Sequence, residues 1–371
     1  MKIRIPFAVL SLALILWSCD EPIAYDNDSY IYNPFMLMED TLHNVSSIQS
    51  GDANIDWGSH FRAWVGDTQY YKSGFTIEFV FPDSTLNIAA VDSIQLQLFH
   101  VKTYLQNGAD TLSSSNSSFG FYETMGQSID VESSVYGNFL DVDTMNIAGG
   151  NNFWNYTLPP TTILEGDTSV SLGVFPAEAG YLSSIYGGAS GSRPALSFFY
   201  HVPDTAGDDS VTSVSFLADT LFMYLIEKPA AFDRSQFYYI SQLKSDSILI
   251  TLNLLELAAA GDTLQHIINS SILPAINDSF SSLYTPDSLF RFSMLVEAPV
   301  SGLTATIEYG GDGYNTNEIK YLIQSAMDEK EDELDLILRP TNSGYNPGFI
   351  AISKDANQSA LYVRSSLAVK P

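Results

Sequence analysis

Short runs in which apolar and polar residues alternate recur along this chain, separated by polar or glycine-rich turns. The clearest run places Phe75, Ile77, Phe79 and Phe81 on one side of an extended segment. Successive side chains of a strand point to opposite sides of a sheet, so a period of two residues predicts a strand with one buried face. Similar runs cover residues 91–101, 169–175, 194–200, 248–254, 289–296, 303–309, 334–338 and 360–369.

Two stretches of the sequence, 164 residues apart, follow the same order. Each has an alternating strand that ends in proline, then a Gly-Tyr pair, then a closing strand. The first comprises residues 170–176 with Gly180-Tyr181, and the second comprises residues 334–340 with Gly344-Tyr345. We interpret this pattern as an internal duplication, which the length of 371 residues can accommodate as two domains.

Helical spacing is confined to the second half of the chain. Residues 262–268 form a short candidate helix, and residues 317–328 form a longer one with Ile319, Leu322 and Ile323 on one face. The predicted fold class is therefore all-β. We expect two tandem antiparallel jelly-roll-like β-sandwiches, with one or two short helices in the second.

The N-terminal residues have the layout of an export signal. Lys2 and Arg4 precede residues 7–16, which are apolar apart from Ser11 and too short to span a bilayer. The sequence Leu16-Trp17-Ser18-Cys19 then resembles the lipobox of bacterial lipoproteins. That resemblance implies cleavage before Cys19 and acylation of this residue, the only cysteine in the chain. A plain signal peptide followed by a chance cysteine is the alternative.

These features divide the chain into five predicted segments. We expect a signal peptide at 1–18, a lipid anchor and tether at 19–34, a first β-sandwich at 35–203, a linker at 204–211 and a second β-sandwich at 212–371. The linker assignment depends on a polar, acidic stretch with Pro203 and Gly207. The predicted location is extracytoplasmic and membrane-anchored, at the periplasmic or cell-surface face of the outer membrane. The acidic pair after Cys19 leaves the choice of membrane open.

Acidic residues dominate the charge of the chain. Removal of the signal peptide leaves 14 basic residues against 43 acidic ones, a net charge of −29. Such a surface repels nucleic acid, so we expect no nucleic-acid partner. Solubility alone explains the charge, and affinity for divalent cations or neutral sugars is the alternative.

The first predicted domain resembles the DNRLRE-type β-sandwich, a jelly-roll family related to some carbohydrate-binding modules. The resemblance covers about residues 40–200. It depends on Trp57-Gly58-Ser59, on the paired strands at 74–79 and 91–98, and on a closing motif from Arg193-Pro194 to Tyr200. The arginine that the family carries before the second strand is replaced here by Ser73-Gly74. The resemblance implies a non-catalytic module on a secreted or surface protein.

No catalytic motif is present in the sequence. It has no nucleophile elbow, phosphate-binding loop or dinucleotide fingerprint, and the five histidines lack the spacing of a zinc helix. We therefore predict that the protein is not an enzyme. A polysaccharide hydrolase that uses a pair of carboxylates is a remote alternative, because 43 acidic residues allow such a pair.

Two weak ligand sites are predicted. Aromatic residues near turns can stack on sugar rings, and Trp57, Tyr70, Tyr71 and Tyr186 are the candidates, with core packing as the alternative. Oxygen-bearing side chains also alternate around a glycine-rich turn, which is a pattern that calcium prefers. These side chains belong to Asp312, Asn315 and Asn317. A capped turn before the following helix explains them equally well. No cofactor other than calcium is predicted.

We thus expect a lipid-anchored, non-catalytic protein of the cell envelope with a structural or assembly role. The alternative is a carbohydrate-binding or adhesive surface module. Its partners would be the membrane, through Cys19, and envelope proteins or glycans.

Overall fold

The computed structural model describes residues 36–42, 45–52, 60–82, 90–105, 116–146, 153–159, 162–163, 167–203, 209–244, 246–255, 264–273, 293–309, 314–315, 319–341, 347–354 and 361–369. Within these ranges the strands are β1 (Met36–Leu42), β2 (Val45–Asp52), β3 (Arg62–Asp67), β4 (Tyr71–Val80), β5 (Ser93–Leu105), β6 (Asn116–Glu123), β7 (Asn138–Asn146), β8 (Phe153–Leu158), β9 (Ser169–Pro176), β10 (Tyr181–Tyr186), β11 (Ala195–Pro203), β12 (Asp209–Leu217), β13 (Thr220–Glu227), β14 (Phe237–Ser241), β15 (Asp246–Asn253), β16 (Leu264–Leu273), β17 (Ser293–Ala298), β18 (Leu303–Tyr309), β19 (Tyr314–Asn315), β20 (Glu333–Pro340), β21 (Phe349–Ser353) and β22 (Leu361–Val369). A short 3-10 helix spans Pro229–Ala231, and the helix α1 spans Ile319–Asp328.

Strands β3 to β13 form the first unit, an antiparallel sheet folded into two layers. One layer has the order β13-β4-β9-β6-β7 and the other β8-β5-β11-β12, while β10 pairs with both β3 and β5. Side chains from both layers meet in one buried cluster, which includes Phe75, Ile77 and Phe79 from β4. The predicted burial of these three side chains is confirmed. On the other side of β4, Thr76 is buried as well, while Lys72 and Glu78 are partly exposed.

Strands β1, β2 and β14 to β22 form the second unit. Its larger sheet has the order β1-β22-β16-β19-β18-β17-β20-β15-β2, and β14 pairs with β21 alone. The apolar side of α1 packs into the core of this sheet, with Ile319, Leu322 and Ile323 buried beside Leu336. All the named strand pairs in both units are antiparallel, so the predicted all-β class is confirmed.

The ladder pattern of the first unit recurs in the second. In the first, Val174 of β9 lies between Phe75 of β4 and Phe121 of β6. In the second, Leu338 of β20 lies between Ile248 of β15 and Val296 of β17. Val174 and Leu338 are 164 residues apart, as the sequence repeat predicts. The pairs β6–β7, β3–β10 and β5–β11 likewise have counterparts in β17–β18, β14–β21 and β16–β22.

Two strands that follow each other in sequence complete each unit by pairing at separate places in its sheet. In the first unit, β12 pairs with β11 and β13 pairs with β4. In the second unit, β1 pairs with β22 and β2 pairs with β15. We call β1 together with β2 the β1–β2 segment. The registers match: Leu221 lies opposite Ile77, and Ile48 lies opposite Ile250. The first unit is therefore inserted between two parts of the second.

This connectivity corrects the predicted domain boundaries. Strands β1 and β2 fall within the span predicted for the first domain, 35–203, yet they pair in the second unit. Residues 209–211 of the predicted linker open β12, and residues 204–208 lie outside the described ranges. The second unit therefore does not begin at residue 212. A polar, Pro- and Gly-containing stretch marks a hairpin loop as readily as a linker, and local composition does not specify the partner of a strand.

One of the two predicted helices is confirmed. Helix α1 matches the prediction for 317–328 and ends where Lys330 adopts a φ of 62°. There the amides of Lys330 and Glu331 donate to the carbonyls of Met327 and Ala326, as in a Schellman cap. Residues 264–268 of the other candidate belong to strand β16 instead. This segment is too short to form a stable helix by itself, and its hydrogen bonds with β22 make it a strand.

No helix within the described ranges is long and apolar enough to cross a membrane.

Cleavage of the β2–β3 connection tests whether the β1–β2 segment belongs to the second unit. A specific protease site placed in residues 53–59 and cut after folding should leave this segment bound through its two ladders. Mild denaturant that removes the segment should then increase amide hydrogen exchange in β15 and β22 while β4 and β9 keep their protection. Hydrogen exchange read by mass spectrometry distinguishes the strands. Loss of the segment that exposes β4 first, or leaves β15 protected, would contradict the assignment.

Candidate functional site

An aromatic cluster joins the two units. Tyr70 and Tyr71, at the start of β4, pack against rings of the second unit. The ring of Tyr70 lies 5.0 Å from that of Phe349 and 5.6 Å from that of Phe232. The hydroxyl of Tyr71 lies 2.8 Å from that of Ser241. We call this cluster the junction; its buried members are Trp64, Tyr70, Tyr71, Tyr104, Leu182, Phe232, Tyr239, Leu243, Phe349 and Ala351.

Charged groups tie the same region together. Glu227, at the end of β13, is almost fully buried and accepts hydrogen bonds from Arg234 at 2.7 Å and Lys244 at 2.6 Å. Lys228 forms an ion pair with Asp67 of β3. A buried carboxylate is stable only when it is paired, and Glu227 has two cationic partners. These contacts fasten β13, which belongs to the first unit, to the segments on either side of β14.

The predicted sugar-binding aromatics are not assembled into a platform by the described residues. Tyr70 and Tyr71 are buried in the junction, at 4% and 0% exposure, so they cannot stack on an external ligand. This corrects their assignment: these two aromatic residues near a turn pack between the units. Burial raises the pKa of Tyr70, which further disfavours its ionised form. Tyr186 ends β10 opposite Arg62 and is half-buried. Trp57 lies outside the described residues.

The predicted calcium residues are described only in part. Asn315 lies in β19, opposite Ile272 of β16 and Glu308 of β18. Asp312 and Asn317 lie outside the described ranges, as does Cys19. Among the residues that are described, no three histidine, cysteine, aspartate or glutamate side chains cluster as a metal site would require. The calcium site thus stays a prediction.

A second aromatic cluster lies on the outer side of the first unit, away from its core. Phe175 of β9 stacks on Tyr136 at 4.1 Å, and Tyr122 of β6 lies 5.2 Å from Tyr136 and 5.5 Å from Phe139. Tyr224 of β13 extends the row on the other side of Phe175. We call Tyr122, Tyr136, Phe139, Phe175 and Tyr224 the aromatic patch. Phe139 is 59% exposed, so the patch reaches the surface.

Glycines make room for this patch. A Cβ atom at Gly74 would lie 2.2 Å from the Phe175 ring and 2.8 Å from the carbonyl oxygen of Val174. A Cβ atom at Gly173 would lie 2.7 Å from the same ring. Phe175 can therefore lie flat against the sheet only because both positions lack side chains. Glycine within strands, next to aromatic residues, is the sequence signal that would have identified the patch.

The corresponding surface of the second unit is charged instead. By ladder register, Phe175 and Tyr122 correspond to Arg339 of β20 and Glu297 of β17. Those two side chains form an ion pair at 2.8 Å. Two matching ladders thus carry different outer faces, which means that the fold does not require the aromatic patch.

A buried polar network crosses the core of the first unit. The Nε2 atom of His100 lies 2.8 Å from the Thr103 hydroxyl, which lies 2.6 Å from the Ser183 hydroxyl. All three residues are almost fully buried. Burial penalises the charged imidazolium and lowers the pKa of His100 to about 4. The ring is therefore neutral at physiological pH and acts as a structural hydrogen-bonding group.

Comparisons with known proteins do not identify a family. No protein-family model matches this chain, and no curated protein matches it. Among solved structures, a chain from the atomic structure of Sulfolobus Turreted Icosahedral Virus aligns over 87% of this chain and 90% of its own length, at 10% identity and a TM-score of 0.13. A similarity that low carries no structural argument.

The buried histidine predicts a pH dependence of stability. Since the pKa of His100 is lower in the folded state than the ordinary 6.5, the unfolded chain binds the extra proton first as pH falls. The contribution of neutral His100 to the free energy of unfolding is therefore full above pH 6.5. It falls by on the order of 3 kcal/mol between about pH 6.5 and 4. Chemical denaturation across this window should show a flatter profile in His100→Gln. Thr103→Val, which keeps the imidazole, should lower stability but retain the slope; equal slopes in all three proteins would contradict the assignment.

Proposed function

We propose that this protein is a lipid-anchored, non-catalytic component of the cell envelope with a structural or assembly role. The aromatic patch is the observation that carries the proposal. Its exposed ring, Phe139, borders rings that are buried or partly buried, and the matching ladder of the second unit carries an ion pair instead. An exposed aromatic side chain that the fold does not require favours a protein-binding surface. Aromatic rings are also the side chains most enriched at the centres of such interfaces.

The position of Cys19 in the sequence indicates which unit a lipid anchor would hold. About 16 residues separate Cys19 from β1, and a chain of that length can span roughly 55 Å at most. Because β1 pairs with β22, a lipid on Cys19 would pull on the second unit. The aromatic patch belongs to the first unit and is not part of the anchored ladder. Such a division leaves one unit for attachment and the other for contact with a partner.

The recurrence of the ladder pattern supports a duplicated origin for the two units. The resemblance to DNRLRE-type β-sandwiches in residues 40–200 fits the same proposal, because that family is attached to secreted or surface proteins. After a duplication, one copy is free to acquire a new surface. The exchange of Arg339 and Glu297 for Phe175 and Tyr122 at matching positions is a difference of this kind.

Site-specific crosslinking in cells tests the proposal. A photoreactive phenylalanine analogue at Phe139 should give a crosslinked adduct of discrete mass, and the adduct should weaken when Tyr122→Ser removes the neighbouring ring. The matched control is the same analogue at Val300, which is 73% exposed in the second unit and should give no such adduct. Labelled palmitate should enter the wild-type protein and not Cys19→Ser. Absence of label in the wild type would refute the anchor, and equal adducts at both positions would refute the binding surface.

A further inference from the structure

The second layer of the first unit carries an outer face of a different chemistry. Ladder pairs place Thr157, Gln95, Ser197 and Ser215 in one row across β8, β5, β11 and β12. The adjacent row contains Asn155 and Gln97 and continues to the apolar residues Ala195 and Leu217. Their neighbours along the strands, such as Leu96 and Leu158, point into the core, so these polar side chains face outward. We call Gln95, Gln97, Asn155, Thr157, Ser197 and Ser215 the amide–hydroxyl face.

This face is uncharged in a strongly acidic protein. Charged residues make up 16% of the chain, and the outer side of the opposite layer of this unit carries Lys72 and Glu78. Neither row of the amide–hydroxyl face includes a lysine, arginine, aspartate or glutamate. The adjacent charged group is Asp92, beyond the end of these rows, and it pairs with His201 at 2.6 Å. A solvated sheet face needs only polarity, so solubility alone does not explain the exclusion of charge.

The polar groups of the face keep unused hydrogen-bonding capacity. Gln97 Nε2 donates to Asn155 Oδ1 at 3.2 Å, which holds both amides side by side. That bond leaves the Gln97 carbonyl as an acceptor and the Asn155 NH₂ group as a donor toward the outside. The Ser197 and Ser215 hydroxyls lie 2.8 Å apart and can each make another bond. Donors and acceptors thus lie side by side on this face, as vicinal hydroxyl groups require.

Aromatic rings border the face at both ends. Phe153 of β8 is 54% exposed and lies 4.5 Å from Phe99 of β5. Phe199 of β11, half-buried, lies opposite Ser93 and Ser213 at the other end. Same-side residues repeat about every 6.7 Å along a strand, so the two borders lie roughly 20 Å apart. That span accommodates several linked sugar rings, whose apolar faces stack on aromatic side chains.

From these contacts we infer that the amide–hydroxyl face binds a neutral polysaccharide. Neutral amides and hydroxyls are less costly to desolvate than charged groups, and they match the hydroxyls of an uncharged glycan. The net charge of −27 for the whole chain disfavours an anionic glycan. This site is separate from the aromatic patch, which lies on the opposite layer, and it does not depend on the lipid anchor.

Binding to polysaccharides of known charge tests the inference. The full chain in mild detergent is titrated with neutral mannan, xylan and mixed-linkage β-glucan, and with anionic alginate as the charged comparison, by isothermal calorimetry. We expect binding of at least one neutral polymer, with an affinity that changes little between about 50 mM and 500 mM NaCl, since no ion pair contributes. Gln97→Ala and Phe153→Ala should each weaken binding at least tenfold.

Val142→Ala is the matched control, because Val142 is 45% exposed on the outer side of the opposite layer. It should bind the same polymer as tightly as wild type. All variants change exposed side chains, and thermal unfolding checks that each one is folded. The inference is overturned if no neutral polymer binds, if alginate binds more tightly, or if both face variants retain wild-type affinity. Loss of binding in Val142→Ala alone would place the binding site on the opposite layer and would also overturn the inference.

Discussion

The ladder between β1 and β22 joins the first described strand of the chain to the last, pairing Met36 with Leu367. Through it, and through the pairing of β2 with β15, the second unit is complete only when the β1–β2 segment is in place. The first unit has its own equivalent strands, β12 and β13, and lies in the sequence between the two parts of the second. Contacts between residues so distant in sequence form slowly, because the loop-closure entropy must be lost before the ladders are gained.

The junction gives this connectivity an energetic role. Rings from both units exclude water around Tyr71 and Ser241, and Glu227 lies between Arg234 and Lys244 at the same place. A connection through the linking segments alone would leave the two units free to move relative to each other. With the junction packed, the outer faces of both layers of the first unit become fixed surfaces of one body. The aromatic patch and the amide–hydroxyl face are then presented on opposite layers of a single sandwich.

Sequence patterns predicted the strands well because their signal is local. The alternation of Phe75, Ile77 and Phe79 specifies a buried face, and the proline-ended strands at β9 and β20 recur with the spacing that the structure shows. Strand partners carry no such local signal, which explains why β1 and β2 were assigned to the wrong unit. Tyr70 and Tyr71 show the same limit. An aromatic residue next to a turn looks the same in sequence whether a ligand or another part of the chain covers its ring. The aromatic patch was missed because its rings, such as Tyr122, Tyr136 and Phe175, come together only after folding. Gly173, two residues before Phe175 in β9, was the local signal available for it.

Differential scanning calorimetry of the full chain measures most directly whether the two units are one cooperative body. If the β1–β2 segment and the junction couple them, the protein should unfold in a single transition whose van't Hoff enthalpy equals the calorimetric enthalpy. Phe349→Ala, which removes a buried ring of the junction, should lower the midpoint of that whole transition. Two resolved transitions in the wild-type protein, with only one of them moved by Phe349→Ala, would contradict the account.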